Sequence, residues 1–412
     1  MKTNSLKGTR DYLPKEAALR EFMQDTILEC YRENGFQRIM TPAIEDIENL
    51  DKSDGGDNLN LIFRIMKRGN KLEQALKNGG QLCDIGLRYD LTLPLSRYYN
   101  ANREKLSLPF KCIQIDKVYR AERPQKARMR EFTQCDIDII GDSTTACETE
   151  LIAITAKALN RLGLDNFAVK INDRKILNAL LESFGFEKSM LESVCISFDK
   201  LDKIGRDGVI DELKEKFGNE EVSFENVINR FEKFLENTPE SIDDIKSILP
   251  DNEDISRLEE IIKTSQKIAG EKYRIEFDVS LVRGQGYYTG TIFEIYCDNF
   301  GGAVAGGGRY DKLIGKFCGN EVCACGFSIG FERIFSLLSD MGKSAKAKPL
   351  IALIYSDFST AYDYAEKLRK DYSVSLFNRP KNMKKFLDKL CDNGFSGFVT
   401  DTKKEITLFD KK

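Results

Sequence analysis

Apolar residues recur at helical spacing from Leu19 through Phe22, Met23, Ile27 and Cys30 to Tyr31. Pro14 precedes this run and Gly35 follows it, so a helix with a marked start and stop is predicted. A strand-like run covers 36–44, interrupted by Pro42, which lacks a backbone donor and belongs on an edge or at a bend. Two longer strands are predicted over 110–120 and 131–140. In the second, Thr133, Cys135, Ile137 and Ile139 share one face and read as buried, while Gln134, Asp136 and Asp138 share the other. The run 275–283 alternates, with Ile275, Phe277, Val279 and Leu281 on one side, and 287–296 reads as a paired strand. Glycines crowd 301–308 just before Arg309, Tyr310 and Asp311, and a strand-to-helix unit carries Gly326, Ser328, Gly330, Glu332 and Arg333. The stretch 187–271 is acidic, lysine-rich, poor in glycine and helical in period, as an insertion between two halves of one sheet would be. Beyond a linker over 340–348, short strands and helices alternate as in a small α/β domain.

Composition narrows the possibilities. The 412 residues suffice for two or three domains, and 41% hydrophobic with 31% charged residues is the profile of an ordinary soluble protein. No apolar run approaches membrane-spanning length, and residues 1–20 are too polar for a signal peptide. Eleven cysteines without paired short spacings suggest a reducing cytoplasm. Cys318, Cys323 and Cys325 lie close together, yet no histidine or further cysteine nearby completes a zinc set, and no metal ligand is assigned. With a net charge of −3, any nucleic-acid contact has to be local; 361–412 holds 12 Lys/Arg against 8 Asp/Glu. The chain contains no histidine at all, which removes a histidine general base, a Ser-His pair and histidine metal ligands. Chemistry must run on carboxylates, arginines, a metal or the substrate's own groups.

Between the two long strands sits a loop with five cations: Arg120, Arg123, Lys126, Arg128 and Arg130. Such a loop is either a solvated charged turn or a clamp for polyphosphate, since each guanidinium offers paired donors to phosphate oxygens. The returning strand favours the clamp. It sets amide and carboxylate groups in line with the cationic tip, the layout expected of a site that joins ATP to an amino acid. Gly284 and Gly286 lack the third glycine of a dinucleotide fingerprint, and no Walker-type lysine loop is present, so ATP would be held by arginines.

These segments resemble histidyl-tRNA synthetase, a class II aminoacyl-tRNA synthetase, over essentially the whole chain. Lys7-Gly8-Thr9-Arg10-Asp11 is similar to that family's opening, 36–50 to motif 1 at the class II dimer interface, 120–141 to motif 2, and 326–333 to motif 3. The segment 283–290, Arg-Gly-Gln-Gly-Tyr-Tyr-Thr-Gly, resembles the family's own signature. The resemblance implies an α+β fold: a class II synthetase-like antiparallel sheet flanked by helices, with a helical insertion and a small C-terminal α/β domain. The expected division is 1–186 for the first part of the catalytic core, 187–271 for the insertion, 272–339 for the second part of the core, and 349–412 for a short anticodon-binding-like domain without its last helix.

The resemblance also implies roles. Arg120 and Arg283 would be catalytic, at the α-phosphate and the reacting carboxylate. Glu122, Arg128, Phe132 and Arg333 would bind ATP, with Phe132 and Arg333 sandwiching the adenine. Asp90 and Thr92 would receive the substrate ammonium, Gln134, Asp138 and Tyr288 would read histidine's imidazole, and Tyr287 would also bind histidine. Gln125 would sit near the acceptor end of tRNA(His). Histidine, ATP, Mg²⁺ and tRNA(His) are the implied ligands, with a homodimer in the cytoplasm and no membrane. Each residue also has a structural reading: Asp90 as the cap of a helix over 91–99, the tyrosines as core aromatics, Gly306–Gly308 as a bulge or turn, and Arg333 paired with a surface acid. The chain departs from the family in carrying Gln285-Gly286 where Leu-Asp is usual, which removes a carboxylate beside Arg283. A paralogue, the histidine-sensing regulatory subunit of ATP phosphoribosyltransferase, shares the synthetase fold. As a rule it lacks the catalytic arginine and the C-terminal module, both of which have counterparts here.

Overall fold

The strand-like runs on either side of the cationic loop form a long antiparallel hairpin, Phe110–Tyr119 against Glu131–Ile140. The computed structural model describes residues 3–51, 60–123, 129–218, 221–282, 287–343, 348–403 and 405–409. The chain divides into two units, Met1–Asp11 with Met23–Met341, and Tyr12–Phe22 with Gly342–Lys412.

In chain order the first unit holds strands β1 (Gln37–Arg38), β2 (Ile44–Asp46), β3 (Arg64–Met66), β4 (Cys83–Leu87), β5 (Phe110–Tyr119), β6 (Glu131–Ile140), β7 (Phe167–Asp173), β8 (Arg274–Phe277), β9 (Thr291–Cys297), β10 (Gly302–Arg309) and β11 (Ala324–Gly330). Among the described residues, eight of them make one sheet in the order β1-β5-β6-β11-β10-β9-β7-β8. The interior pairs, from β5 to β7, are antiparallel; only the outer pairs β1–β5 and β7–β8 are parallel. A second sheet, β2-β4-β3, is antiparallel throughout. On the large sheet Cys135, Ile137 and Ile139 are buried, as their period requires. The helix Ala146–Arg161 packs on β11 and β6 and buries Leu151, Ile152 and Leu159. Asp136 and Asp138, on the opposite face, are also buried, and that face lines a cavity.

Three expected strands are shorter than the alternation suggests. The run over 36–44 becomes β1 and β2, separated by a segment containing Pro42. The run over 275–283 stops at Phe277: Asp278 Oδ1 accepts from the Ser280 backbone N–H at 3.0 Å, a local turn that competes with the ladder. The paired run begins at Thr291 rather than at Tyr287.

The helices Leu191–Phe198, Leu201–Phe217, Glu221–Glu236, Ile242–Ile248 and Glu253–Ala269 occupy the acidic stretch. Aromatic rings hold part of it together, with Phe186 and Phe198 meeting Phe231 edge-on at 5.6 and 5.7 Å. In the second unit, β12 (Leu350–Tyr355), β13 (Ser373–Asn378), β14 (Gly397–Thr400) and β15 (Thr407–Leu408) are ordered β13-β12-β14-β15. The β12–β13 and β12–β14 pairs are parallel, linked through the helices Phe358–Leu368 and Met383–Asp392. Ile351, Leu353, Ala361, Ala365 and Val399 form its core, the small α/β domain that the sequence spells.

Candidate active site

Register across the large sheet sets one row of polar positions side by side. Gln114 of β5 faces Asp136 of β6, which pairs with Ser328 of β11; Ser328 pairs with Gly306 of β10, and Gly306 with Glu294 of β9. A neighbouring row runs Cys112, Asp138, Gly326, Gly308. Over these rows lies a cavity of about 340 Å³. Its glycines are structural requirements. A Cβ on Gly326 would fall 2.1 Å from Asp138 Oδ1, and one on Gly308 would fall 2.8 Å from the Tyr288 ring, so the bare backbone lets both side chains lie against the strands.

At one part of the cavity, Arg120 donates through Nε to the Tyr89 carbonyl at 3.0 Å and lays its guanidinium over the Phe132 ring, 5.0 Å from the centroid. The helix Phe331–Asp340, which follows β11, adds two groups. Glu332 Oε1 accepts from the Thr133 N–H at 3.1 Å, and Arg333 donates to the Ala303 carbonyl at 2.6 Å. Deeper in, Tyr310 donates its hydroxyl proton to Asp138 Oδ1 at 2.5 Å and sets its ring edge-on to Tyr287, 6.0 Å away.

Three carboxyl groups share this interior. Burial lifts Asp138 to about 7, the hydrogen bond from Tyr310 opposing and the charge of Asp90 adding to the rise. Burial lifts Asp90 to about 6 against the Leu93 N–H and the charge of Arg120. Asp136 is pushed well above the usual carboxylate range, first by burial and then by Asp138. Asp90 Oδ2, Gln134 Oε1 and Asp136 Oδ1 are buried and have no hydrogen-bond partner among the described residues, although orphaned buried acceptors are costly. Polar atoms of this kind, clustered at a cavity, fit a ligand that completes them.

Of the sequence-predicted residues, Arg120, Glu122, Phe132, Arg333, Thr92, Gln134, Asp138, Tyr287 and Tyr288 line this one cavity. Asp90 is buried beside it, near enough for its charge to act on Tyr287. The capping reading of Asp90 holds too: Oδ1 accepts from the Leu93 N–H at 3.2 Å, at the start of the helix Thr92–Asn102. Arg283, Arg128 and Gln125, with Gln285-Gly286, lie outside the described residues. Arg130 is turned to the backbone, donating to the Glu122 carbonyl at 3.1 Å. The sequence pattern gave no role to Ser328, Glu294 or Tyr310, and marked Asp136 only as one of the polar row with Gln134 and Asp138. Asp136 shared the period of Gln134 and Asp138, so its signal was present. Tyr310 gave none, because its partner Asp138 lies 172 residues away.

The model of the family described as histidyl-tRNA synthetase matches residues 8–334. The histidine–tRNA ligase of Leifsonia xyli subsp. xyli is 42% identical, over 95% of this chain and 94% of the relative. The chain belongs to the histidyl-tRNA synthetase family. The crystal structure of histidyl-tRNA synthetase from Nostoc sp. PCC 7120 superposes with a TM-score of 0.77 at 26% identity, covering 97% of this chain and 91% of that one. A Bacillus halodurans structure titled as an ATP phosphoribosyltransferase regulatory subunit/histidyl-tRNA synthetase reaches the same TM-score at 21% identity, covering 97% and 98%, and shows the fold alone. The antiparallel sheet flanked by helices is thus the fold of class II synthetases.

Proposed function

We infer that this cavity activates histidine with ATP to histidyl-adenylate and passes the histidyl group to the 3′ end of tRNA(His). One observation carries the reading: a guanidinium-and-ring platform (Arg120, Phe132, Arg333) and an amino-acid-sized set of polar groups (Gln134, Asp138, Tyr287, Tyr288) line the same cavity. Histidine's imidazole offers one donor and one acceptor, which a carboxylate and a phenol at fixed points can match. An analogue lacking either leaves buried groups unpaired, at a cost of up to about 10⁴ in discrimination. The ammonium group is assigned to Asp90 and Thr92, supported by the unpaired Asp90 Oδ2.

No general base is needed for the first step. The histidine carboxylate, with a pKa of roughly 3.5, is ionised at neutral pH and attacks the α-phosphorus in line, breaking the bond to the β-phosphate and releasing pyrophosphate. Stabilising the negative charge that develops is assigned to Arg120, which lines the cavity, and to Arg283. Phe132 and Arg333 hold the adenine, with Glu122 beside it and Arg128 at the outer phosphates. In the second step the tRNA 3′-terminal hydroxyl attacks the acyl carbon of the adenylate, a phosphate oxygen of the adenylate takes its proton and AMP leaves, with Gln125 assigned near the acceptor end. Among the described residues no three metal ligands converge. Mg²⁺ arriving with the triphosphate would be held by one or two carboxylates, for which Glu332 lines the cavity. The ion would supply charge neutralisation there.

A homodimer is proposed on the exposed Met40, Ile44, Met66 and Leu108, apolar side chains on and near the motif 1 segment and the small sheet. The second unit, with its local cationic excess, is assigned to tRNA contact. Among the described residues no helix is long and apolar enough to cross a membrane, and all eleven cysteines are thiols, which supports a reducing cytoplasm as the setting. The test is charging: labelled histidine should become acid-precipitable on a tRNA(His) transcript in the presence of ATP, and no charging would reject the reading.

A further inference from the structure

We propose that Gln114 is a positioning residue that sets the ammonium subsite by holding the peptide between Asp90 and Thr92. The proposal rests on the reading of the cavity given above. Gln114 is 2% exposed on β5, and its Nε2 donates to the Leu91 carbonyl at 2.9 Å. Its Oε1 accepts from the Thr41 hydroxyl at 3.0 Å. The planar carboxamide therefore fixes the distance between Thr41 and the turn that carries both ammonium ligands. A second clamp meets it at Thr41. Arg88, itself 1% exposed, donates to the Thr41 carbonyl at 2.7 Å and to the Lys117 carbonyl at 2.9 Å, and pairs with Asp116 at 2.9 Å.

What distinguishes this from ordinary packing is where the bonds end. The Tyr89 carbonyl is held by Arg120, Asp90 Oδ1 by the Leu93 N–H, and the Leu91 carbonyl by Gln114. The groups around Asp90 are thus committed one after another, and Oδ2 alone of its carboxyl oxygens remains without a partner among the described residues. That is a preorganised ligand: its backbone is fixed before the substrate arrives, so binding does not have to order it. The Gln114 carboxamide holds the carbonyl of the Leu91–Thr92 peptide from the sheet side, while the Leu95 N–H meets the same oxygen from the helix. Its register partner Asp136 lines the cavity, so Gln114 lies at the end of the same polar row.

The test is Gln114→Met in the full chain, a change that keeps length and volume and removes both hydrogen bonds. In ATP–pyrophosphate exchange the KM for histidine should rise about tenfold, the cost of one good hydrogen bond, while the KM for ATP moves less than about twofold. A purely structural role would lower activity per mole through the folded fraction and leave both KM values alone. If Gln114→Met does not fold, Thr41→Val removes the hydroxyl that orients the carboxamide and should raise the histidine KM about threefold, again without moving that for ATP. An unchanged histidine KM, or equal shifts in the two, overturns the proposal. Wild-type protein that exchanges with histidine while Gln114→Met matches it condemns only the role of Gln114; a wild type silent with histidine condemns the reading of the cavity and this inference with it.

Discussion

A carboxyl group that keeps its proton up to about pH 7 makes Asp138 a reporter of the imidazole subsite. Asp138→Asn is expected to lower kcat/KM for histidine about a hundredfold while leaving the KM for ATP within about twofold, because the amide N–H leaves a buried donor of the subsite unpaired. The same group ties stability to pH. In the unfolded chain its pKa is the ordinary 3.8, and folding raises it, so between pH 4 and 7 the native state holds a proton that the unfolded chain has released. Its contribution to stability is therefore complete at low pH and is lost as pH rises through 7. Asn cannot undergo that loss, so by calorimetry the Tm of Asp138→Asn should gain on wild type between pH 5 and pH 8; a constant difference would contradict the burial argument. Asp90, lifted to about 6, gives a second signature: the histidine KM should climb as pH falls through 6 and the ammonium loses its counter-charge. At this scale the sequence was legible where local period was enough. Gln134 and Asp138 stood on one face of one strand. Tyr310 was invisible as their partner because the hydrogen bond it makes depends on strand order, which no local spacing encodes.

Strands and helices tell a similar story. The β5–β6 hairpin was readable because both arms read as strands, the second by its alternation, and the loop between them is strongly charged. The overlong reading failed where local hydrogen bonding beat alternation, as at Asp278, whereas the break expected at Pro42 separates β1 from β2. Another feature belongs to elements rather than residues: Arg309, at the end of β10, pairs twice with Glu148 of the helix Ala146–Arg161, at 2.7 and 2.8 Å, both side chains being buried. Arg309 also donates to the Asp142 and Thr144 carbonyls, so one guanidinium ties strand, loop and helix together beneath the site. Arg309→Met leaves Glu148 buried with, among the described residues, Arg257 as its remaining ion-pair partner at 3.5 Å. We expect a loss of about 3–5 kcal/mol in urea unfolding, because breaking a buried pair strands a charge. A change under about 1 kcal/mol would show that the pair is screened or replaceable.

For the whole molecule, the site exists only because segments nearly two hundred residues apart in sequence become adjacent strands, β6 beside β11. The order of motifs along the chain was therefore more informative than any one of them. The absence of histidine is also a property of the whole chain. An enzyme that charges tRNA with histidine, yet contains none in these 412 residues, does not need its own product to be translated through them. We expect its rate of synthesis, followed by pulse labelling under histidine limitation, to hold while histidine-containing controls fall; a parallel fall would remove this expectation. The central claim, that one cavity joins ATP to histidine, is tested most directly by ATP–pyrophosphate exchange with each of the twenty amino acids in turn. Histidine alone should drive exchange. Silence with all twenty, or comparable exchange with another amino acid, would contradict it.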